Sequence, residues 1–153
     1  MIDSEKIIIY KINKFSNETY IAIKELAQLI GNNYKTFSES DFKEILKING
    51  YYLYVAQHKS TGKIVGMVVL LVYRIPYVKK AYMEDLVVSN EFRGQGLGTK
   101  LIETVINQAR NEGAAYLDFT SRMRRASNDL YFKLGFNKRD TNVYRYVFDY
   151  AEV

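Results

Sequence analysis

The segment Arg93-Gly94-Gln95-Gly96-Leu97-Gly98 constrains this chain more than any other. It joins an apolar run, Leu86-Val87-Val88, to an amphipathic segment that starts near Thr99. The chain must therefore pass from a strand, through a glycine-rich turn, into the N-terminus of a helix. Glycines at alternate positions leave no Cβ over that turn. Several backbone N–H groups can then converge on one anion, and the helix dipole adds partial positive charge at the same place. Such a turn is built to hold a phosphate. A dinucleotide fingerprint G-x-G-x-x-G would need glycine where Thr99 stands. A P-loop would need Ser or Thr after its Gly-Lys pair, whereas Gly62-Lys63 is followed by Ile64 and preceded by no glycine at position 57. Both of those phosphate sites are excluded by spacing.

At 153 residues and 48% hydrophobic composition, the chain can close one sizeable core and is too short for two ordinary domains. A single domain over residues 1–153 is expected. The chain has no cysteine, which removes disulfides, thiolate metal sites and a cysteine nucleophile. The lone histidine, His58, cannot assemble a metal cluster by itself, so no metal is expected and catalysis falls to carboxylates, tyrosines and backbone. The opening residues are too acidic and too soon followed by Ile7-Ile8-Ile9-Tyr10 for a signal peptide, and no apolar run reaches membrane-spanning length. A cytoplasmic protein without a membrane partner is the expectation. The net charge of +5 suits ordinary solubility and also a polyanionic ligand. The basic cluster Arg122-Met123-Arg124-Arg125 is short and lacks interleaved aromatics, so it reads as a loop near that ligand, with no nucleic acid as partner.

Periodicity predicts a strand over 6–12, a helix over 18–30 stopped by Gly31, and a shorter helix after Ser38 or Ser40 that ends by Gly50. Strands over 51–57 and 63–73 flank the turn Ser60-Thr61-Gly62, and a further strand over 80–88 follows the only proline, Pro76. A helix over 99–112, a buried strand over 116–120, a short helix over 127–134 and a last strand over 142–148 complete the chain. The order predicts a mixed α/β fold, with a central twisted sheet of about six to seven strands and helices on both faces.

The approach V-x-x-x-x-R from Val88 to Arg93, followed by Gly96 and Gly98, resembles the pyrophosphate-binding motif of the GNAT superfamily of N-acetyltransferases, which use acetyl-CoA. A second string, Leu130-Tyr131-Phe132-Lys133-Leu134-Gly135-Phe136, is similar to the C-terminal L-Y-x-x-L-G-F signature of that family. The resemblance implies acetyl-CoA as cosubstrate, with its pyrophosphate on the backbone amides of Gln95, Gly96, Leu97, Gly98 and Thr99 beside Arg93 and Gly94. It also implies that the strand through Leu86, Val87 and Val88 bonds the pantetheine arm and thioester through its main chain. Tyr131 matches the tyrosine that protonates the departing thiolate. Asn128, three residues earlier and so on the same helix face, is a candidate for the pantetheine arm. Many relatives carry asparagine and alanine where this chain has Arg124 and Ser127.

Acetyl transfer needs an uncharged amine, so a group must take its proton. Glu84 alternates with Leu86 and Val88, which would put all three on one strand face and make Glu84 the candidate base; the alternative is a sheet-edge carboxylate paired with lysine or arginine. The string Met83-Glu84-Asp85-Leu86-Val87-Val88 also resembles the glucosamine-6-phosphate N-acetyltransferases. In this family the acceptor site is formed largely by the N-terminal helices and their loop, about 30–42; Tyr34, Phe37, Tyr73 and Tyr77 are candidate lining, the alternative for each being core or surface packing. The resemblance implies direct attack by a small-molecule or protein amine, with homodimerisation left open. The rival function is a CoA-binding sensor without turnover.

Overall fold

The computed structural model describes residues 6–31, 37–122 and 128–148, which fall into two compact units, one up to Thr120 and one from Ser121 onward. The first unit holds a five-stranded mixed sheet in the order β1 (Ile7–Lys11), β2 (Tyr51–His58), β3 (Ile64–Ile75), β4 (Val78–Val88), β5 (Leu117–Asp118). The first four strands are antiparallel neighbours, and β5 lies parallel to β4. The expected mixed α/β architecture is present with five strands rather than six or seven. The strand expected over 142–148 is the difference: the sheet contains no strand from this stretch, and Val143, Tyr144 and Tyr146 are 75%, 88% and 83% exposed. Within this stretch Asn142 Nδ2 donates to the Tyr144 hydroxyl at 3.3 Å and Tyr146 meets Phe148 edge to face. β-branched and aromatic composition favours a strand only when a neighbour supplies the ladder.

Two helices cover one sheet face. In α1 (Asn17–Gln28) the Ser16 side chain accepts from the Thr19 amide, and in α2 (Glu39–Ile45) Ser38 and Asp41 form a reciprocal capping box. Of the two serines offered as caps by sequence, Ser38 takes the role. Ile23, Leu26, Ala27 and Phe42 from these helices pack with Leu53, Val55, Met67, Val69 and Val87 of the sheet in one buried cluster. The opposite face is covered by α3 (Leu97–Asn111), which buries Leu97, Leu101, Ile102, Val105 and Ala109. Helices therefore lie on both faces, as the sequence predicts.

Gly50 precedes β2 rather than ending α2. Its φ is +82°, and a Cβ there would stand 2.1 Å from the Val72 carbonyl oxygen, so only glycine fits. The second unit contains α4 (Asn128–Lys133), in which Tyr131 is 9% exposed and packs edge to face against Phe136. The backbone amides of Leu134 and Phe136 both donate to the Tyr131 carbonyl, which closes the helix.

Candidate active site

Strand β4 carries the central irregularity of the fold. Met67 pairs with Val87, but Val69 pairs with Glu84, so the single residue Val68 stands opposite both Asp85 and Leu86. The extra residue is a β-bulge, and Asp85 sits at φ +51°, the only described non-glycine residue with a positive φ. Directly opposed residues of an antiparallel pair share a face. Glu84 and Val87 therefore lie on the face covered by α1 and α2, whereas Val88, paired with Gly66, lies on the α3 face beside Leu101. This corrects the shared face expected for Glu84 and Val88: simple alternation holds only for a strand without an insertion. Glu84 is exposed on the side of the N-terminal helices. Asp85 acts on Tyr51, whose hydroxyl is pushed up to about 12, first by burial and then by the nearby Asp85 charge.

Beyond Tyr82, ahead of the bulge, β4 loses its parallel neighbour. The β4–β5 ladder consists of Ala81 with Leu117 and Tyr82 with Asp118, while β4 continues to Val88. The main chain through Leu86, Val87 and Val88 is thus not zippered to β5. Arg93 folds back here, its Nε donating to the Val88 carbonyl at 3.0 Å, which uses one of its five donors.

A single turn of 3-10 helix, Asn90–Phe92, leads from Val88 into the glycine turn. Gly94 and Gly96 adopt φ of +72° and +86°, and Gly96 is the residue that caps α3. This helix starts unlike the other two in the first unit: no side chain accepts from its first amides, and its first turn holds no acidic residue. Cβ atoms built on Gly94, Gly96 and Gly98 would meet nothing within 4 Å. The first-turn amides of Leu97, Gly98 and Thr99 therefore stand beside open space at the positive end of a 15-residue helix, an environment that favours negative charge. Gln95 reaches back, its side-chain amide donating to the Glu91 carbonyl at 2.9 Å, which leaves the turn's backbone outward.

The remaining expected residues divide by unit. Tyr131 and Asn128 lie in the second unit, one turn apart on α4, and the spacing read from sequence is realised as helix. Tyr34, Met123, Arg124, Arg125 and Ser127 lie outside the described residues. Phe37 packs with Tyr20 and Phe42 and accepts a hydrogen bond at its carbonyl from the Tyr20 hydroxyl, whereas Tyr77 is 84% exposed at the β3–β4 turn. Among the described residues, no group of acidic or histidine side chains is arranged to hold a metal ion, and no helix is long and apolar enough to cross a membrane.

Sequence reasoning missed a polar cluster at the far end of α3. Glu112 ends the helix, where a carboxylate opposes the dipole. It is held by the Tyr52 hydroxyl, by Lys79 at 3.2 Å and by Gln108 at 3.1 Å. These contacts, the Tyr52 hydrogen bond foremost, keep its carboxyl below the ordinary range.

A bulged strand that parts from its parallel neighbour thus stands with an uncapped, glycine-fronted helix, and comparison with known proteins gives this arrangement a family. The sequence model of the Acetyltransferase (GNAT) family matches residues 17–136, so the chain belongs to that family. It is 31% identical to mouse N-acetyltransferase 8B over 109 residues, covering 68% of this chain and 45% of that protein. It is 35% identical to mouse thialysine N-epsilon-acetyltransferase over 69 residues, covering 45% of this chain and 34% of that protein. The chain thus spans less than half the length of these curated relatives. Among solved structures, it resembles glucosamine-6-phosphate N-acetyltransferase from Arabidopsis thaliana with a TM-score of 0.79 at 19% identity, covering 92% of this chain and 97% of that one. An aminoglycoside acetyltransferase from an uncultured soil metagenomic sample, in complex with sisomicin, gives a TM-score of 0.78 at 19% identity over 96% and 98% of the two chains. These two likenesses carry the fold.

Proposed function

We propose that residues 1–153 form one acetyl-CoA-dependent N-acetyltransferase domain that moves the acetyl group to a primary amine by direct attack. The family match supports the single domain, because residues 17–136 run across both compact units. The observation that carries the cosubstrate is the start of α3: left-handed glycine at its cap, no side-chain cap, no first-turn carboxylate and open space over all three glycines. Arg93, Gly94, Gln95, Gly96, Leu97, Gly98 and Thr99 hold the pyrophosphate, and the main chain of Leu86, Val87 and Val88 holds the pantetheine arm, with Asn128 as its side-chain partner. A backbone N–H near Val88 polarises the thioester carbonyl.

Glu84 is the base. The bulge turns it toward α1 and α2, the side on which this family takes its acceptor, so it can accept the amine's proton directly or through water. The neutral amine attacks the thioester carbon, the C–S bond breaks as the Tyr131 hydroxyl passes its proton to the leaving thiolate, and the proton shed by the new amide nitrogen restores the Tyr131 hydroxyl. No covalent enzyme intermediate is needed. The acceptor is a small-molecule or protein amine. The relatives name two kinds, an aminosugar and a lysine analogue's ε-amine.

The test has two stages. Thermal shift with acetyl-CoA, against NAD and ATP, reads the cosubstrate; a larger shift with NAD sinks the assignment. Release of free CoA over a panel of amines, including aminosugars, polyamines, amino acids and peptides, reads turnover. Binding without turnover on every acceptor would replace the enzyme with a CoA-binding sensor.

A further inference from the structure

The glycine turn has a support that its motif does not contain. Between Phe92 and Leu97 the chain passes through two left-handed glycines over which nothing packs within 4 Å, so beyond the Arg93 and Gln95 side-chain hydrogen bonds the turn's packing support comes at its ends. At the exit Leu97 is buried to 2% exposure at the start of α3. At the entry the hold comes from the β2–β3 hairpin. The His58 ring meets Phe92 edge to face, with centroids 5.8 Å apart and planes at 63°. His58 is itself fixed: its backbone amide donates to the Lys63 carbonyl at 2.9 Å, its carbonyl accepts from Gly62 at 2.8 Å, and its Nδ1 lies 3.1 Å from Ser60 Oγ and 3.4 Å from Thr61 Oγ1. Two further ties join the same elements. The Ser89 amide donates to the Val65 carbonyl at 2.8 Å, and Lys63 stands 3.7 Å from Glu91. Both members of that ion pair are more than half exposed, so it adds little.

We infer that His58 is a positioning residue for the pyrophosphate turn: its ring, braced by Ser60 and Thr61, buttresses Phe92 and so presets the entry to Gly94 and Gly96. This inference rests on the acetyl-CoA reading of the same turn. A turn preset in its binding shape gives up less freedom when the ligand arrives, and a loosened one binds in proportion to the fraction still competent. The His58 side chain meets Phe92, Ser60 and Thr61 and no residue assigned above to the chemical step, so its effect falls on cosubstrate binding and not on that step.

The test uses the full chain and acetyl-CoA itself. Calorimetric titration and steady-state kinetics are run on wild type, His58→Ala and His58→Phe, with thermal melts alongside. An edge-to-face pair is worth enough to change an equilibrium by about threefold to tenfold. His58→Ala should therefore raise Kd and KM for acetyl-CoA by about that factor with kcat within about twofold. His58→Phe, which keeps a ring against Phe92, should restore most of the affinity. His58→Ala binding acetyl-CoA as wild type does overturns the inference and leaves the acetyltransferase reading standing. A loss confined to kcat, or an equal loss in His58→Phe, overturns it as well. If wild type takes up no acetyl-CoA, the functional reading falls and this inference falls with it.

Discussion

Gly96→Ala is the sharpest perturbation of the proposed cosubstrate site, because the same helix supplies its own control. Gly96 has φ +86° and Gly113 has φ +72°, and a Cβ at either would meet nothing within 4 Å. Gly113 terminates α3, its amide donating to Arg110 and that of Ala114 to Ala109 in the Schellman pattern. The two positions thus share a backbone conformation and an open surround, and flank opposite ends of a 15-residue helix about 22 Å long. Alanine in the left-handed region costs about 1–2 kcal/mol at either site. For a chain of this size that is a Tm drop of roughly 2–8 °C in both variants. Binding separates them. A methyl at Gly96 pushes an anion off the first-turn amides and loses at least two charge-assisted hydrogen bonds of about 1.5–3 kcal/mol each. That is at least about a hundredfold in Kd for acetyl-CoA. In wild type, acetyl-CoA at a hundredfold excess over Kd adds about 2.7 kcal/mol, a rise of roughly 5–11 °C. Gly113→Ala should keep that rise and Gly96→Ala should lose it. Equal ligand shifts in the two variants would refute the cradle.

Three further outcomes are expected. Tyr131→Phe keeps the ring that packs on Phe136, so folding and acetyl-CoA affinity should hold while kcat falls roughly a hundredfold to ten-thousandfold; a variant retaining more than about half of kcat makes Tyr131 structural. Glu84→Gln should depress turnover most at low pH, where the amine is protonated, with acetyl-CoA affinity nearly intact, and an unchanged pH–rate profile moves the base elsewhere. Glu112 has a depressed carboxyl pKa in the fold, so its stabilising contribution is complete above the ordinary value of 4.5 and is lost as pH falls through the folded value. Thermal melts should therefore show wild type losing stability below about pH 4.5 more steeply than Glu112→Gln, and parallel curves would contradict the assignment.

Helix boundaries were legible where chemistry is local. Ser38 and Asp41 announce a capping box, and Gly113 announces a stop, because both act within one turn of chain. The glycine turn at the start of α3 was legible for the same reason, since Arg93 to Gly98 is contiguous. What failed depends on partners far off in sequence. An alternating pattern at Asn142 to Phe148 says nothing about whether a neighbouring strand exists. The bulge at Asp85 is invisible to a period-two reading, because aspartate is tolerated in the left-handed region without requiring it. His58 belongs to no motif, and only folding brings the hairpin tip to Phe92.

The inserted residue in β4 works as a half-period offset between two reading frames written on one strand. Upstream, the frame up to Glu84 is keyed to the layer of α1 and α2; downstream, the frame from Val88 is keyed to α3 and to the turn that opens it. Removing Asp85 would leave Leu86 alone opposite Val68 and straighten the strand, with Glu84 still opposite Val69 and Val88 still opposite Gly66. Substitutions on either side can change what each frame says. What the extra residue sets is the kink: it breaks the regular ladder close to where the strand has parted from β5, so the main chain from Leu86 onward need not follow the pleat that carries Glu84.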